Sequence, residues 1–307
     1  MSRQHALLGL PHAGKTAWLG RLWVSADTAS GRLHKTAHPD NLQALNQLSD
    51  WLYERRWPDR SPLKNAPDFS VDLRWTGRAG AIPFRLHIAD YSGEEVNAIY
   101  GDRAAWTSAW DLRAKASGLA ILVRPDGEQL KPPRASRLAR PAPALDDPAR
   151  LFGQELMPDS DVRSEDDPAH LPTGLALVEL LQLLRTARGL YLGEVPDPKA
   201  LRVAVIFTAW DVMLKEDPTL SPAHFLHTRL GLLDDFLACN YDSAGIRAFG
   251  LSTTGGDIEK EPHKSAYQAG EPEEFGYVTW DSPSGVRDDP DITLPLGWLL
   301  EGDDILP

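Results

Sequence analysis

The chain is short of sulfur, short of basic charge relative to acid, and without a long apolar run, and each shortage removes a class of explanation. A single cysteine, Cys239, stands among 307 residues. Neither an intramolecular disulfide framework nor a cysteine-based zinc site is then possible, which suits a reducing compartment. Cys239 ends an apolar helical run and is expected in the core. The 32 Lys and Arg are outnumbered by 44 Asp and Glu, for a formal charge of -12. Binding a nucleic-acid strand needs a concentrated basic stripe that releases counterions, so no nucleic-acid groove is expected. A single bound small phosphate ligand needs only local positive charge. No apolar stretch approaches the roughly 20 residues that span a bilayer, and the N-terminus opens directly on an apolar strand instead of a signal sequence. A cytoplasmic chain without a membrane span is the expectation.

What remains is ordinary globular material, 42% hydrophobic and 25% charged, enough to bury a sizeable core. His5 to Leu8 is a short apolar run. It is followed by a glycine-bearing loop and by Thr16 to Val24, where Trp18, Leu19, Leu22 and Trp23 fall at helical spacing. A polar stretch leads to a helix over Asn41 to Arg55. Phe69 to Trp75 and Ile82 to Ile88 both alternate apolar with polar residues about a Gly-rich turn, the pattern of a hairpin. Leu119 to Val123 and Val203 to Phe207 are continuous apolar runs, as in strands buried on both faces. Helices are expected over Gly174 to Arg188 and Pro222 to Leu237, and a last strand over Ile246 to Leu251.

Strands alternating with helices imply a doubly wound α/β fold, a mostly parallel sheet with one antiparallel hairpin. Residues 125–172 hold nine of the 25 prolines and little periodicity, and read as an insertion. From Asp257 onward 13 Asp and Glu face 3 Lys and Arg, which reads as an acidic C-terminal extension, residues 257–307, of a domain covering residues 1–256.

Gly9-Leu10-Pro11-His12-Ala13-Gly14-Lys15-Thr16 lies between the first strand and the first helix with the spacing of a P-loop. Its glycines let backbone N–H groups close around phosphate oxygens, Lys15 reaches the β and γ phosphates, and the Thr16 hydroxyl can ligate magnesium at the positive end of the helix. Gly9, Pro11, His12, Ala13, Gly14, Lys15, Thr16 and Ala17 are therefore candidate nucleotide contacts. His12 occupies a position the motif leaves variable. Asp90-Tyr91-Ser92-Gly93 follows the Ile82 strand, where Asp90 can hold the magnesium and Gly93 can offer its N–H to the γ phosphate. Thr208-Ala209-Trp210-Asp211 ends another buried strand, and there Asp211 can accept two hydrogen bonds from a guanine. Ser252, Thr253 and Thr254 end the last expected strand and can offer backbone N–H to the guanine carbonyl.

In this order the four sites resemble the first, third, fourth and fifth nucleotide-binding boxes of P-loop GTPases of the Ras-like and translation-factor-type (TRAFAC) class. The resemblance covers most of Gln4 to Gly256, and the long insertion and acidic end are most similar to the bacterial double-GTPase proteins of predicted conflict systems. It implies GTP or GDP with Mg2+ as the bound species, a nucleotide-dependent switch, and a protein partner, either a second GTPase or an effector.

Lys15, Gly93 and Glu94 would serve catalysis. Glu94 stands where efficient relatives have Gln, which implies slow turnover, because a carboxylate there repels the γ phosphate. Ala209 stands where the family has a Lys whose stem covers the base, a role Trp210 is positioned in sequence to take. Thr36, or Thr28, would close over the magnesium as the switch threonine, and Arg32 in the same loop is a candidate finger. Two other readings stay open on the residues alone: an ATP-using enzyme with the insertion as a lid, and a scaffold that binds nucleotide without hydrolysing it.

Overall fold

The computed structural model describes residues 3–26, 28, 31–36, 42–57, 69–88, 99, 106–125, 172–191 and 193–306. Nine strands form one sheet in the order β2-β3-β4-β1-β5-β6-β7-β8-β9. They are β1 (Arg3–Gly9), β2 (Leu33–Lys35), β3 (Phe69–Gly77), β4 (Gly80–Ile88), β5 (Gly118–Val123), β6 (Arg202–Thr208), β7 (Ile246–Ser252), β8 (Tyr277–Ser282) and β9 (Gly285–Asp289). The centre, β4-β1-β5-β6-β7, is parallel. On each side one strand runs against it, β3 and β8, and one more closes the edge, β2 and β9. The fold is the mostly parallel, helix-covered α/β sheet that the sequence implies, with a second antiparallel hairpin, β8-β9, beyond the expected one. Among the described residues no helix is long and apolar enough to cross a membrane.

The central strands read as unbroken apolar runs because both faces are covered. Along β6, Val203, Val205 and Phe207 face one layer while Ala204 and Ile206 face the other. The first layer carries α1 (Lys15–Ser25), α2 (Leu42–Glu54) and α9 (Leu294–Glu301). The second carries α3 (Ser108–Ala114), α4 (Thr173–Ala187), α5 (Trp210–Glu216), α6 (Pro222–Arg229) and α7 (Gly231–Asn240). The helix expected over Pro222 to Leu237 is two helices, broken at Leu230 (φ -128°, ψ 40°) ahead of Gly231. On α7 the buried face is set by Leu233 and Leu237. Cys239 lies off that face and is exposed, contrary to expectation.

The strand over Ile246–Ser252 is not the last. The sheet continues through β8 and β9, and α9 then returns beneath the centre, apolar on every side: Leu294, Leu296, Trp298, Leu299 and Leu300 are all buried. At about 2 kcal/mol for each fully buried leucine, α9 is an integral part of the core. The Arg202 guanidinium donates to the carbonyls of Leu299 and Leu300, each at 3.0 Å, which satisfies acceptors at the end of a buried helix. Between β7 and β8 lies α8 (His263–Ala269). Tyr267 on α8 and Ile258 pack with Trp51 and Leu52 of α2 in a small separate cluster.

Candidate functional site

Parallel central strands place all their C-terminal ends on one edge of the sheet, where ligands of open α/β folds bind. The P-loop leaves β1 at this edge, Thr208 to Asp211 leave β6, and Ser252 to Gly256 leave β7. Two hydrogen bonds join the three. The Thr208 hydroxyl, buried, donates to Ala13 O at 3.0 Å, and the Ser252 hydroxyl, fully buried, donates to Asp211 Oδ1 at 2.7 Å. The same Ser252 oxygen accepts the Gly255 N–H at 3.0 Å.

In the P-loop itself the glycines are required by the backbone. Gly14 has φ 85° and caps α1, while a Cβ on Gly9 would lie 2.8 Å from Leu122 O on the neighbouring strand. His12 also adopts a left-handed conformation, with φ 62°. Lys15 is buried, and its ammonium donates to Gly9 O at 2.8 Å and Leu10 O at 3.1 Å. Thr16 and Ala17 follow in the first turn of α1, whose N–H groups have no acceptor within the helix and present the positive end of its dipole. Lys15, Thr16 and the loop backbone are thus gathered at the mouth of one edge.

The loops after β6 and β7, expected to meet a base, are also built in detail. Ala209 has φ 51° and ψ 39°, a left-handed turn that swings the chain from β6 into α5 and leaves Asp211 half-buried beside Ser252. Trp210 does not cover a base. It is fully buried, stacked 5.8 Å from Phe207 and edge-on to Phe225 at 5.6 Å. It also fits against Gly250, where a Cβ would lie 2.4 Å from its ring. The side chain that could stand in for the family's lysine therefore serves the core. Thr253 and Thr254 are buried, and the Thr254 hydroxyl donates to Gly256 O at 2.7 Å. Beside them on β8, Tyr277 has its hydroxyl pushed well above the usual range, first by burial and then by the Asp211 and Asp288 carboxylates.

Three expected residues are not brought to this edge. The Thr36 N–H donates to Asp72 O at 3.2 Å. Asp72 lies opposite Arg85, and Arg85 opposite Gln4 near the start of β1. Five residues along β1 and three strand spacings across then separate Thr36 from Gly9, roughly 20 Å in all. Thr28 donates to Ser25 O at 3.0 Å at the far end of α1, and Arg32 faces Asp291 at 3.8 Å. The polar stretch after α1 enters the sheet through β2, which is antiparallel to β3 and rises from the opposite edge. Asp90, Gly93 and Glu94 lie outside the described residues.

Among the described residues no group of three or more His, Cys, Asp and Glu could hold a metal ion. The donor chemistry present fits magnesium shared with a nucleotide, since Mg2+ takes one or two protein oxygens plus phosphates and water, and Thr16 offers such an oxygen. A cavity of about 400 Å3 lined by Met213, Leu220, His224 and Phe225 lies between α5 and α6 and contains no P-loop residue. His263, which sequence reading left unassigned, donates from Nε2 to Thr254 O at 2.8 Å.

No curated protein matches the chain. Among solved structures it is similar to the Roco2 protein of Methanosarcina barkeri, determined bound to GDP, with 12% identity and a TM-score of 0.29 over 87% of this chain and 47% of that one. The chain thus spans about half the length of that relative. It is also similar to a putative nucleolar GTP-binding protein 1 from Plasmodium falciparum, with 8% identity and a TM-score of 0.30 over 87% and 84% of the two chains. At such scores neither likeness adds to what the sheet itself displays. The Double-GTPase 1 family model matches residues 6–299, and with the P-loop, Asp211 and Ser252 gathered at one sheet edge, the chain belongs to that family.

Proposed function

We propose that this chain is a GTP-binding switch that hydrolyses GTP slowly with Mg2+ and works with a protein partner, a second GTPase being favoured by its family and an effector being the other class. The observation that carries the reading is the tying of the P-loop to both base-reading loops, through Thr208 on Ala13 at 3.0 Å and Ser252 on Asp211 at 2.7 Å.

On this reading phosphate oxygens displace the two carbonyls that now hold the Lys15 ammonium, because a charged acceptor makes the stronger hydrogen bond. The N–H groups around Gly14 and the first turn of α1 surround the phosphates. Thr16 and Asp90 would hold the magnesium, which would supply neutralisation of phosphate charge. Gly93 senses the γ phosphate, and Glu94, a poorer director of water than Gln, keeps turnover slow. Asp211, with Oδ1 engaged by Ser252, turns its remaining acceptor sites to the guanine N1 and exocyclic amine. Thr253 and Thr254 offer backbone N–H to the guanine carbonyl.

Calorimetric titration with GTP, GDP and ATP in magnesium, followed by phosphate release over hours, tests this. Binding of both guanine nucleotides, none of ATP, and slow release of phosphate is the expected result. Equal or tighter binding of ATP would replace the reading with an ATP-using enzyme. Guanine binding without any release over that time would leave a nucleotide-binding scaffold.

A further inference from the structure

We infer that His263 is a positioning residue for guanine recognition, acting on Asp211 through a continuous line of three hydrogen bonds; the inference rests on the reading of Asp211 given above. Thr254 O can only accept, so the 2.8 Å contact to His263 Nε2 requires a proton on that nitrogen. The other end of the same Thr254–Gly255 peptide, the Gly255 N–H, donates to Ser252 Oγ at 3.0 Å. Ser252 Oγ in turn donates to Asp211 Oδ1 at 2.7 Å. Every donor in the line points the same way, from the imidazole to the carboxylate. Polarisation therefore accumulates along it, inside a loop whose Ser252 is fully buried and whose Thr254 is 1% exposed.

The imidazole is itself fixed. Its ring lies edge-on to Phe275 at 5.7 Å with an interplanar angle of 88°, and tilted against Tyr267 at 6.1 Å. It also lies flat enough on the loop that a Cβ at Gly256 would come within 2.8 Å of its Cγ. Phe275 is held from α1, where the buried Arg21 guanidinium donates to Phe275 O at 2.9 Å and Glu273 O at 2.8 Å. The helix that begins at the phosphate loop thus anchors the segment that aligns the base loop. The segment from His263 to Phe275 follows all four nucleotide motifs in the chain and carries none of them. Its contribution is to hold one peptide plane in a single orientation, which sets the Ser252 hydroxyl and through it the carboxylate.

Two variants separate the hydrogen bond from the packing. His263→Phe keeps a ring against Phe275 and Gly256 but cannot donate. His263→Gln loses the ring and places an amide donor at a similar reach. Affinities for GDP, IDP and tripolyphosphate are measured by calorimetry on the full chain, with thermal melts to confirm folding. IDP lacks the exocyclic amine from which Asp211 would accept a hydrogen bond, and tripolyphosphate reports the P-loop alone. His263→Phe is expected to narrow the preference for GDP over IDP about tenfold, the size of one well-oriented hydrogen bond to a charged group. It should leave tripolyphosphate affinity unchanged, and His263→Gln should restore the preference.

A wild-type preference in His263→Phe, or no restoration in His263→Gln, overturns the inference while leaving the guanine site standing. If the wild-type chain itself binds GDP no better than IDP, the underlying reading of Asp211 fails instead.

Discussion

Replacing Gly14 by alanine tests the junction between the P-loop and β6, and its cost can be worked from the geometry. Gly14 has φ 85°, and an L-residue held in the left-handed region costs about 1–2 kcal/mol. Its new Cβ would lie 3.0 Å from each of Cβ, Cγ2 and Oγ1 of Thr208. Thr208 must then turn and lose its bond to Ala13 O, at about 1 kcal/mol, so Gly14→Ala should cost about 2–3 kcal/mol in all. Thr208→Ala removes two of the three crowding atoms and the same hydrogen bond. In that background Gly14→Ala should cost the backbone part and the one remaining Cβ contact, which leaves a coupling of about 1 kcal/mol. Urea unfolding of the four chains gives the cycle, and GDP titration of Gly14→Ala should show at least about a tenfold loss as the N–H cradle distorts. Additivity within about 0.3 kcal/mol, or a Gly14→Ala chain as stable as the parent, would refute the junction.

Three further outcomes are expected. His5, fully buried on β1, has its imidazole pushed down to about 3, first by burial and then by the neighbouring Arg3. Below pH 6.5 the unfolded chain takes up a proton that the folded chain refuses. Stability is therefore lost as pH falls from about 6.5 towards 3, by about 2 kcal/mol at pH 5, and urea midpoints at pH 7.5 and 5 should converge for His5→Phe relative to the parent. Gly250→Ala places a Cβ 2.4 Å from the Trp210 ring. It should destabilise by about 1–3 kcal/mol and weaken GDP more than tripolyphosphate, because α5 carries Asp211; a neutral effect would mean that Trp210 is not locked. Cys239, exposed on α7, should react with a thiol reagent in the native chain as fast as in the unfolded one, and slow native labelling would contradict its placement.

The parts of the candidate site that follow local rules can be read from the sequence as expectations. Gly9, Gly14 and Lys15 announce the phosphate loop by spacing, and Asp211 and Ser252 announce themselves as polar residues at the ends of buried strands. What was hidden depends on pairing between distant segments. Loop length alone made Thr36 a plausible switch residue, yet the direction of β2 is decided by its register with Trp75, Arg74 and Leu73, and no residue near Thr36 encodes that. Trp210 reads as a neighbour of Asp211 in sequence, but the empty space over Gly250 draws it into the core. The C-terminal part reads as an acidic tail because its charges dominate its composition. The apolar residues of β8, Val278 and Trp280, are few, and α9 is apolar all round and so lacks the periodicity that marks a half-exposed helix. His263 gave no signal, since a lone histidine acquires its role only from the carbonyl it meets.

The proposed role of Asp211 is to read guanine at the edge where the P-loop, β6 and β7 meet. Exchange of its carboxylate for an amide in Asp211→Asn reverses one hydrogen-bonding face, so the measurement is calorimetric titration of the parent and the variant with GTP and xanthosine triphosphate in magnesium. The parent is expected to prefer GTP and the variant to lose GTP and gain xanthosine triphosphate, a reversal of about a hundredfold or more in their ratio. Unchanged preference in the variant would contradict it, and Thr208 to Asp211 would then be only the end of a strand.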